Sequence, residues 1–574
     1  MRSSIAALLL TLLLGPAVFA ADAGDSFFEP DSLYRHVAVL AHDSLEGRKV
    51  GEDGEMKAAR YIWEFFTTIG LQPLGTDDEI SPYLQPFEFV KAIEYGDNNW
   101  ISVNQTKLKL GEDYSPMKQS ASGEFVIEEV VSVGFGIKMD TADGNYNDYE
   151  GLDVTGKAVI IKRYSPSEED YPNLPFERYS SLTQKISTAM EHDASAVIFI
   201  TPPEHDDTLP NFSVARVQPK EIPILHVRRK ALEELGLDLN DPLINSVEGS
   251  VEIVKVRDHG YNVVGLLPGN TDTTIIVGAH YDHLGYGGEG SRYLGPEKLI
   301  HNGADDNASG TAVMMELARW AIANKEEIHH SMLFIGFSGE ESGILGSSHY
   351  ARNMTIDSSD AKLMINMDMI GRLKDQDGLA VLGVGSSPEL KTYFDSLPKP
   401  DFEIKINESG IGPSDHTAFY NRKIPVLFFF TGAHADYHKP EDDIELLDFP
   451  GLAAISELVA GAMTHFDDHR GPLTFQKTKS DDEGRTRRQF SVTLGIMPDF
   501  ISEVKGLRVD GVSPDRPGEK AGLLEGDIII KMGSVEIGDI YDYMNALGKY
   551  RKGDSTIVLV KRGDKEEELS VVFQ

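Results

Sequence analysis

The stretch TTIIVGAHYDH, residues 273–283, decides the fold. Its first half is a continuous apolar run without polar alternation, the signature of a strand covered on both faces. Its second half sets His280, Asp282 and His283 at the end of that strand. The same unit recurs downstream. The runs SMLFIGFS (331–338), AKLMINMD (361–368), LAVLGVG (379–385) and IPVLFFF (424–430) read as further strands. Between and after them, GTAVMMELARWAIANK (310–325), ILGSSHYARN (344–353) and GLAAISELVAGAMTHF (451–466) read as helices. Short apolar strands alternating with helices predict an α/β fold, a mostly parallel, doubly wound sheet with helices on both faces.

In such a sheet ligands bind at the carboxyl ends of the strands. Chemistry-bearing residues gather at those ends here: His280, Asp282 and His283; Glu340 and Glu341; Asp368; and His434, Asp436 and His438. Asp305 and Asp306 lie in the loop before the helix at 310–325. Each group alone reads equally well as surface residues or helix caps. Capping, however, gives no reason for histidines to recur at successive strand ends. The chain has no cysteine, so an imidazole and carboxylate set without thiols suits zinc or a similar divalent ion. Two ions bring a charge of +4, which a bridging Asp, a second Asp, a Glu and a hydroxide would balance. In the doublet Glu340-Glu341, one carboxylate can coordinate while its neighbour stays free as a general base.

Five motifs in order, GAHYDHLG (278–285), NGADDNASG (302–310), FSGEESGILGS (337–347), NMDMIGR (366–372) and YHKPEDD (437–443), resemble the signatures of family 28 of the metallopeptidases, the co-catalytic di-zinc aminopeptidases. LAHDSLEGRKVGEDG (40–54) is similar to the N-terminal stretch of that family. The resemblance implies two zinc ions per chain. His280 and Asp368 would hold one, Glu341 and His438 the other, and Asp305 would bridge them, with a cis peptide between Asp305 and Asp306. It further implies Glu340 as general base, Asp282 as the carboxylate that fixes the His280 tautomer, and Tyr437 as a residue steadying the oxyanion. His283, His434, Asp436, Asp415 and His416 are left as pocket residues or supports behind the ligands, a structural role being preferred for them.

The 574 residues call for several domains. The start, MRSSIAALLLTLLLGPAVFA (1–20), has one basic residue, an apolar run and small residues at its end, the pattern of a cleaved export signal. An exported, periplasmic or extracellular protein without a membrane span is expected. The catalytic unit is expected at 27–115 and 256–468. Between these parts, 116–255 is β-rich, and YNDYEGLDVTGKAVIIKRYSP (146–166) with KISTAMEHDASAVIFITPP (185–203) is similar to a protease-associated (PA) domain. A polar linker at 469–489 leads to 490–574, which resembles a PDZ domain. There Leu494, Gly495, Ile496 and Met497 would receive a peptide or protein C-terminus by strand addition.

With 54 basic and 92 acidic residues the net charge is −38, which repels nucleic acid. The expected activity is removal of N-terminal residues from peptides by a metal-bridging hydroxide. The alternatives are a carboxypeptidase or dipeptidase on the same core, and a non-catalytic receptor using the PA and PDZ units.

Overall fold

The computed structural model describes residues 26–573 apart from short segments, the longest being 210–218, 238–245 and 479–491. The expected leader at 1–20, and 479–489 of the expected linker, lie outside the described residues.

A nine-stranded sheet forms the unit expected at 27–115 and 256–468. Its strands are β1 (Gln72–Pro73), β2 (Leu84–Tyr95), β3 (Ile253–Leu267), β4 (Thr274–His280), β5 (Ser331–Phe337), β6 (Ala361–Met367), β7 (Leu379–Leu382), β8 (Ile404–Ile406) and β9 (Val426–Phe430). They lie in the order β1-β3-β5-β4-β6-β9-β7-β8, with β2 also paired to β3. The predicted parallel arrangement holds across the middle, where β5, β4, β6 and β9 are parallel neighbours. The flanks are antiparallel, through β3 on β5 and through β7 on β9.

The unbroken apolar runs follow from two cores. Ile275, Val277 and Ala279 of β4 enter one core with α1 (Pro30–Leu40), α2 (Asp53–Ile69), α3 (Gly310–Ala323) and the last helix of the unit, Phe449–Asp468. Ile276 enters the opposite core with Tyr350 and Phe419, carried by the helices Leu345–Arg352 and His416–Tyr420. Strand alternation therefore survives as a choice between two apolar layers. Gly70, at φ +90°, ends α2 in the left-handed conformation, its N–H donating to Phe66 O at 3.1 Å.

β2 and β3 form a long antiparallel ribbon, from Leu84 opposite Val263 to Tyr95 opposite Ile253, and the insert hangs from its far end. The insert holds a five-stranded sheet with parallel strands Val130–Ser132, Ala158–Lys162, Ala196–Ile200 and Ile224–Val227. Beside it lies a four-stranded antiparallel sheet of Trp100–Val103, Thr106–Leu108, Gly123–Ile127 and Val247–Val251. The expected start at 116 is thereby corrected: Trp100 pairs with Ser250, so the insert begins before residue 100. The C-terminal unit is a separate antiparallel sheet around its own apolar cluster.

Candidate metal centre

Four strand ends and one loop deliver the site. His280 closes β4, Asp368 follows β6, Glu340 and Glu341 follow β5, and His438 lies in the loop after β9. The loop at 302–309 passes over the end of β4. Within it Asp306 (φ −105°, ψ 91°) and Asn307 (φ −133°, ψ 49°) are non-helical, and α3 begins at Gly310. The cap is Asn307, whose Oδ1 accepts from Gly310 N at 2.9 Å and from Met369 N at 3.2 Å. Asp306 is thereby left to the site.

The two oxygens of Asp306 face different partners. Oδ1 lies 3.5 Å from His280 Nε2, which is itself 3.3 Å from Asp368 Oδ1. Oδ2 lies 3.2 Å from His438 Nε2, which is 3.1 Å from Glu341 Oε2. His283 Nδ1 approaches Glu341 Oε1 to 2.7 Å and Asp306 Oδ2 to 3.8 Å. Two potential ligand sets, His280 with Asp306 and Asp368, and His283 with Asp306 and Glu341, thus share one carboxylate.

This corrects the expectation for Asp305. Its side chain is fully buried but elsewhere: Oδ1 accepts from Gly371 N at 2.6 Å, and Oδ2 lies 3.3 Å from His434 Nε2. The expected cis peptide is also displaced by one residue, to Asp306–Asn307. Spacing could not separate the two, because adjacent carboxylates in an irregular loop follow no helix or strand period.

The other expected residues converge. Asp282 meets His280 Nδ1 through its backbone carbonyl at 3.3 Å, its carboxylate standing back at 3.6 Å. That carboxylate instead accepts from Glu340 N at 3.1 Å and so holds the Glu340-Glu341 turn. His438 Nδ1 is 2.8 Å from Gly290 O, which leaves Nε2 facing the centre. Tyr437 stacks on His438 with ring centroids 3.8 Å apart. Asp442 Oδ2 accepts from the N–H groups of both Asp305 and Asp306 at 3.0 Å, fixing the loop. His434 and Asp436 join this outer network with Arg372, which reaches Asp436 and Asp442 at 3.3 Å. Asp415 and His416 are buried behind the centre.

The electrostatics of the paired glutamates diverge. Burial pushes Glu340 well above the ordinary carboxylate range, and Asp368 and Glu341 add to it against the pull of His280. Burial would raise Glu341 too, but His283 and His438 overcome it and hold this carboxyl well below its usual value. Buried Glu341 Oε1, Asp282 Oδ2 and both ring nitrogens of His283 have no hydrogen bond of good geometry. Buried carboxylate oxygens and imidazole nitrogens left without such a bond fit a divalent cation.

Residues 262–463 match the model of Peptidase family M28, residues 126–235 that of the PA domain, and residues 484–572 that of the PDZ domain. The chain therefore carries a peptidase domain of family M28, with a PA insert and a C-terminal PDZ domain. Among curated proteins it is similar to a "Probable leucine aminopeptidase" of Trichophyton verrucosum (strain HKI 0517), 28% identical over 215 residues, 35% of this chain and 55% of that protein. A protein of the same description from Arthroderma benhamiae is 28% identical over the same shares. The chain thus spans about half the length of these relatives. Among solved structures, the aminopeptidase from Aneurinibacillus sp. strain AM-1 is 22% identical with a TM-score of 0.44, covering 79% of this chain and 97% of that one. A zinc aminopeptidase from Bacillus subtilis is 20% identical with a TM-score of 0.45, covering 80% and 98%.

Proposed function

We propose that this chain is an exported di-zinc aminopeptidase that removes N-terminal residues from peptides. The observation that carries the reading is Asp306, whose two oxygens each face a different histidine and carboxylate set. His280 and Asp368 would hold one zinc, His438 and Glu341 the other, with Asp306 shared and His283 steadying Glu341. When bound, such a pair makes a nucleophile of water at neutral pH and polarises the scissile carbonyl.

Glu340 coordinates nothing in this scheme. Its carboxylate stands 4.0 Å from His280 Nε2, at the partly open side of the site. It would take a proton from the attacking water and deliver it to the leaving amine, a role suited by an elevated pKa. Tyr437, braced against His438, would steady the oxyanion. An acidic pocket suits the α-ammonium of a peptide better than its carboxylate. Arg372 is already engaged by Asp436 and Asp442. Arg292, over the Tyr437 ring, favours the second reading, a dipeptidase or carboxypeptidase that grips a substrate carboxylate. The PDZ unit would bind a C-terminus at Leu494, Gly495, Ile496 and Met497. There Gly495 has φ +71° and Ile496–Pro498 pairs antiparallel with Leu507–Val512.

The test compares a free-amine peptide with its N-acetylated counterpart, using wild-type chain and Glu340→Gln. The expected result is two zinc ions per chain in both proteins and cleavage of the free-amine peptide alone. Turnover by Glu340→Gln should fall by about 10²- to 10⁴-fold. Equal cleavage of the blocked peptide overturns the aminopeptidase assignment, and turnover within tenfold of wild type overturns the base.

A further inference from the structure

Arg48 is fully buried, in the glycine-containing loop between α1 and α2. It makes no ion pair among the described contacts; its three guanidinium nitrogens all donate to backbone carbonyls. Nε reaches Tyr281 O at 2.7 Å, Nη1 reaches Asn302 O at 2.7 Å and Leu40 O at 2.5 Å, and Nη2 reaches Gly303 O at 3.0 Å. Tyr281 directly follows His280, and Gly303 lies three residues before Asp306. One side chain therefore joins the segments that carry His280 and Asp306, two of the three members of the first ligand set, and ties both to the end of α1. The backbone beside it continues the seam: His283 N donates to Arg48 O at 3.3 Å and Gly285 N to Gly47 O at 3.0 Å.

Burial lowers the Arg48 pKa to about 10, against the charges of Asp282, Asp306, Asp442 and Glu341, so the group is cationic at neutral pH. A planar fork spreads its donors in fixed directions, whereas an ammonium presents them from a single point. Lysine would keep the charge here and lose the simultaneous reach to four carbonyls.

We infer that Arg48 is a positioning residue of the metal centre: its fork sets the spacing between the loops that deliver His280 and Asp306. The inference rests on the reading of this site as a metal centre. It acts through backbone carbonyls, so its effect falls on how tightly cations are held, a readout independent of turnover.

The experiment is zinc binding by competition with a chromophoric chelator, measured for the full chain as wild type, Arg48→Lys and Val459→Ala. Val459 is a core residue of the Phe449–Asp468 helix and controls for general loss of stability. Far-UV circular dichroism and melting of the zinc-stripped proteins accompany each titration. The expected result is a folded Arg48→Lys whose zinc affinity falls by about 10- to 100-fold, the usual scale for partners that orient ligands, while Val459→Ala keeps wild-type affinity at a comparable melting loss. Affinity of Arg48→Lys within twofold of wild type overturns the inference, as does an equal loss in Val459→Ala. If Arg48→Lys is insoluble, Arg48→Gln is read in the same way. Failure of both to fold assigns Arg48 to folding alone and also overturns the inference. A wild-type chain that takes up no zinc instead defeats the metal-centre reading on which the inference stands.

Discussion

Asp305 and Asp306 share a residue type and a loop, but their carboxylates stand in different surroundings. Asp306 faces the histidines, and Asp305 is held by the Gly371 N–H and His434. Asp306→Asn should lose both zinc ions, because it removes the charge shared between the two ligand sets and replaces one of the two facing oxygens by an amide nitrogen that cannot coordinate. Asp305→Asn should keep them and lose about 1–2 kcal/mol of stability through a weakened charge-assisted hydrogen bond. Metal analysis and urea denaturation of the two variants check this pair, and zinc retained by Asp306→Asn contradicts it. At this scale the sequence was legible in type and ambiguous in direction. The strand ends singled out His280, Glu340, Glu341, Asp368 and His438 together with His283, His434 and Asp436, and the choice among them came from the resemblance of the motifs to a known family. The loop at 302–309 has no such period, so the choice between neighbours waited on Asn307 taking the cap and Asp442 holding both amides. Arg48 gave no metal-site signal, since its partners are carbonyls and carbonyls have no residue identity.

The elements themselves read well where burial is local and poorly where pairing is remote. The β4, β5 and β6 runs announced a sheet covered on both faces. The start of the insert did not, because the local hairpin of Trp100–Val103 with Thr106–Leu108 is tied to the insert only through Val247–Val251, far along the chain. Within the insert, the helix Leu182–Glu191 carries fully buried Lys185, whose Nζ donates to Lys162 O at 2.7 Å and to Tyr164 O. Burial lowers the Lys185 pKa from its ordinary 10.5 to about 7. Between these values the folded insert binds fewer protons than the unfolded chain, so its stability should rise with pH, with a limiting slope of about 1.4 kcal/mol per unit. Below about pH 7 that contribution levels off, as both states are then protonated. Hydrogen-exchange protection of the Ala158–Lys162 and Ala196–Ile200 strands between pH 7 and 10 measures the slope. Lys185→Met should flatten it, and an unchanged slope in that variant assigns the titration to another group.

At the scale of the molecule, the C-terminal unit is seated on the insert. Asp542 pairs with Lys220, both nearly inaccessible to solvent, and also accepts from Ser187 Oγ at 3.1 Å. Lys549 reaches Glu191 at 2.6 Å at the margin, where Lys505 also pairs with Glu221. Removing one partner of a buried pair costs about 3–5 kcal/mol by stranding the other charge. Asp542→Ala should therefore release the unit, seen as a larger radius of gyration by small-angle X-ray scattering, while zinc content stays at the wild-type value. An unchanged scattering curve would show that the marginal pairs suffice. The β2-β3 ribbon has a different consequence. Because it brings the chain out and back side by side, the roughly 150 residues between Tyr95 and Ile253 are spliced into the nine-stranded sheet at a single hairpin. To the sheet, the whole insert is an overgrown turn. Its length and shape are thereby uncoupled from the strand ends that carry His280, Glu340, Glu341 and Asp368.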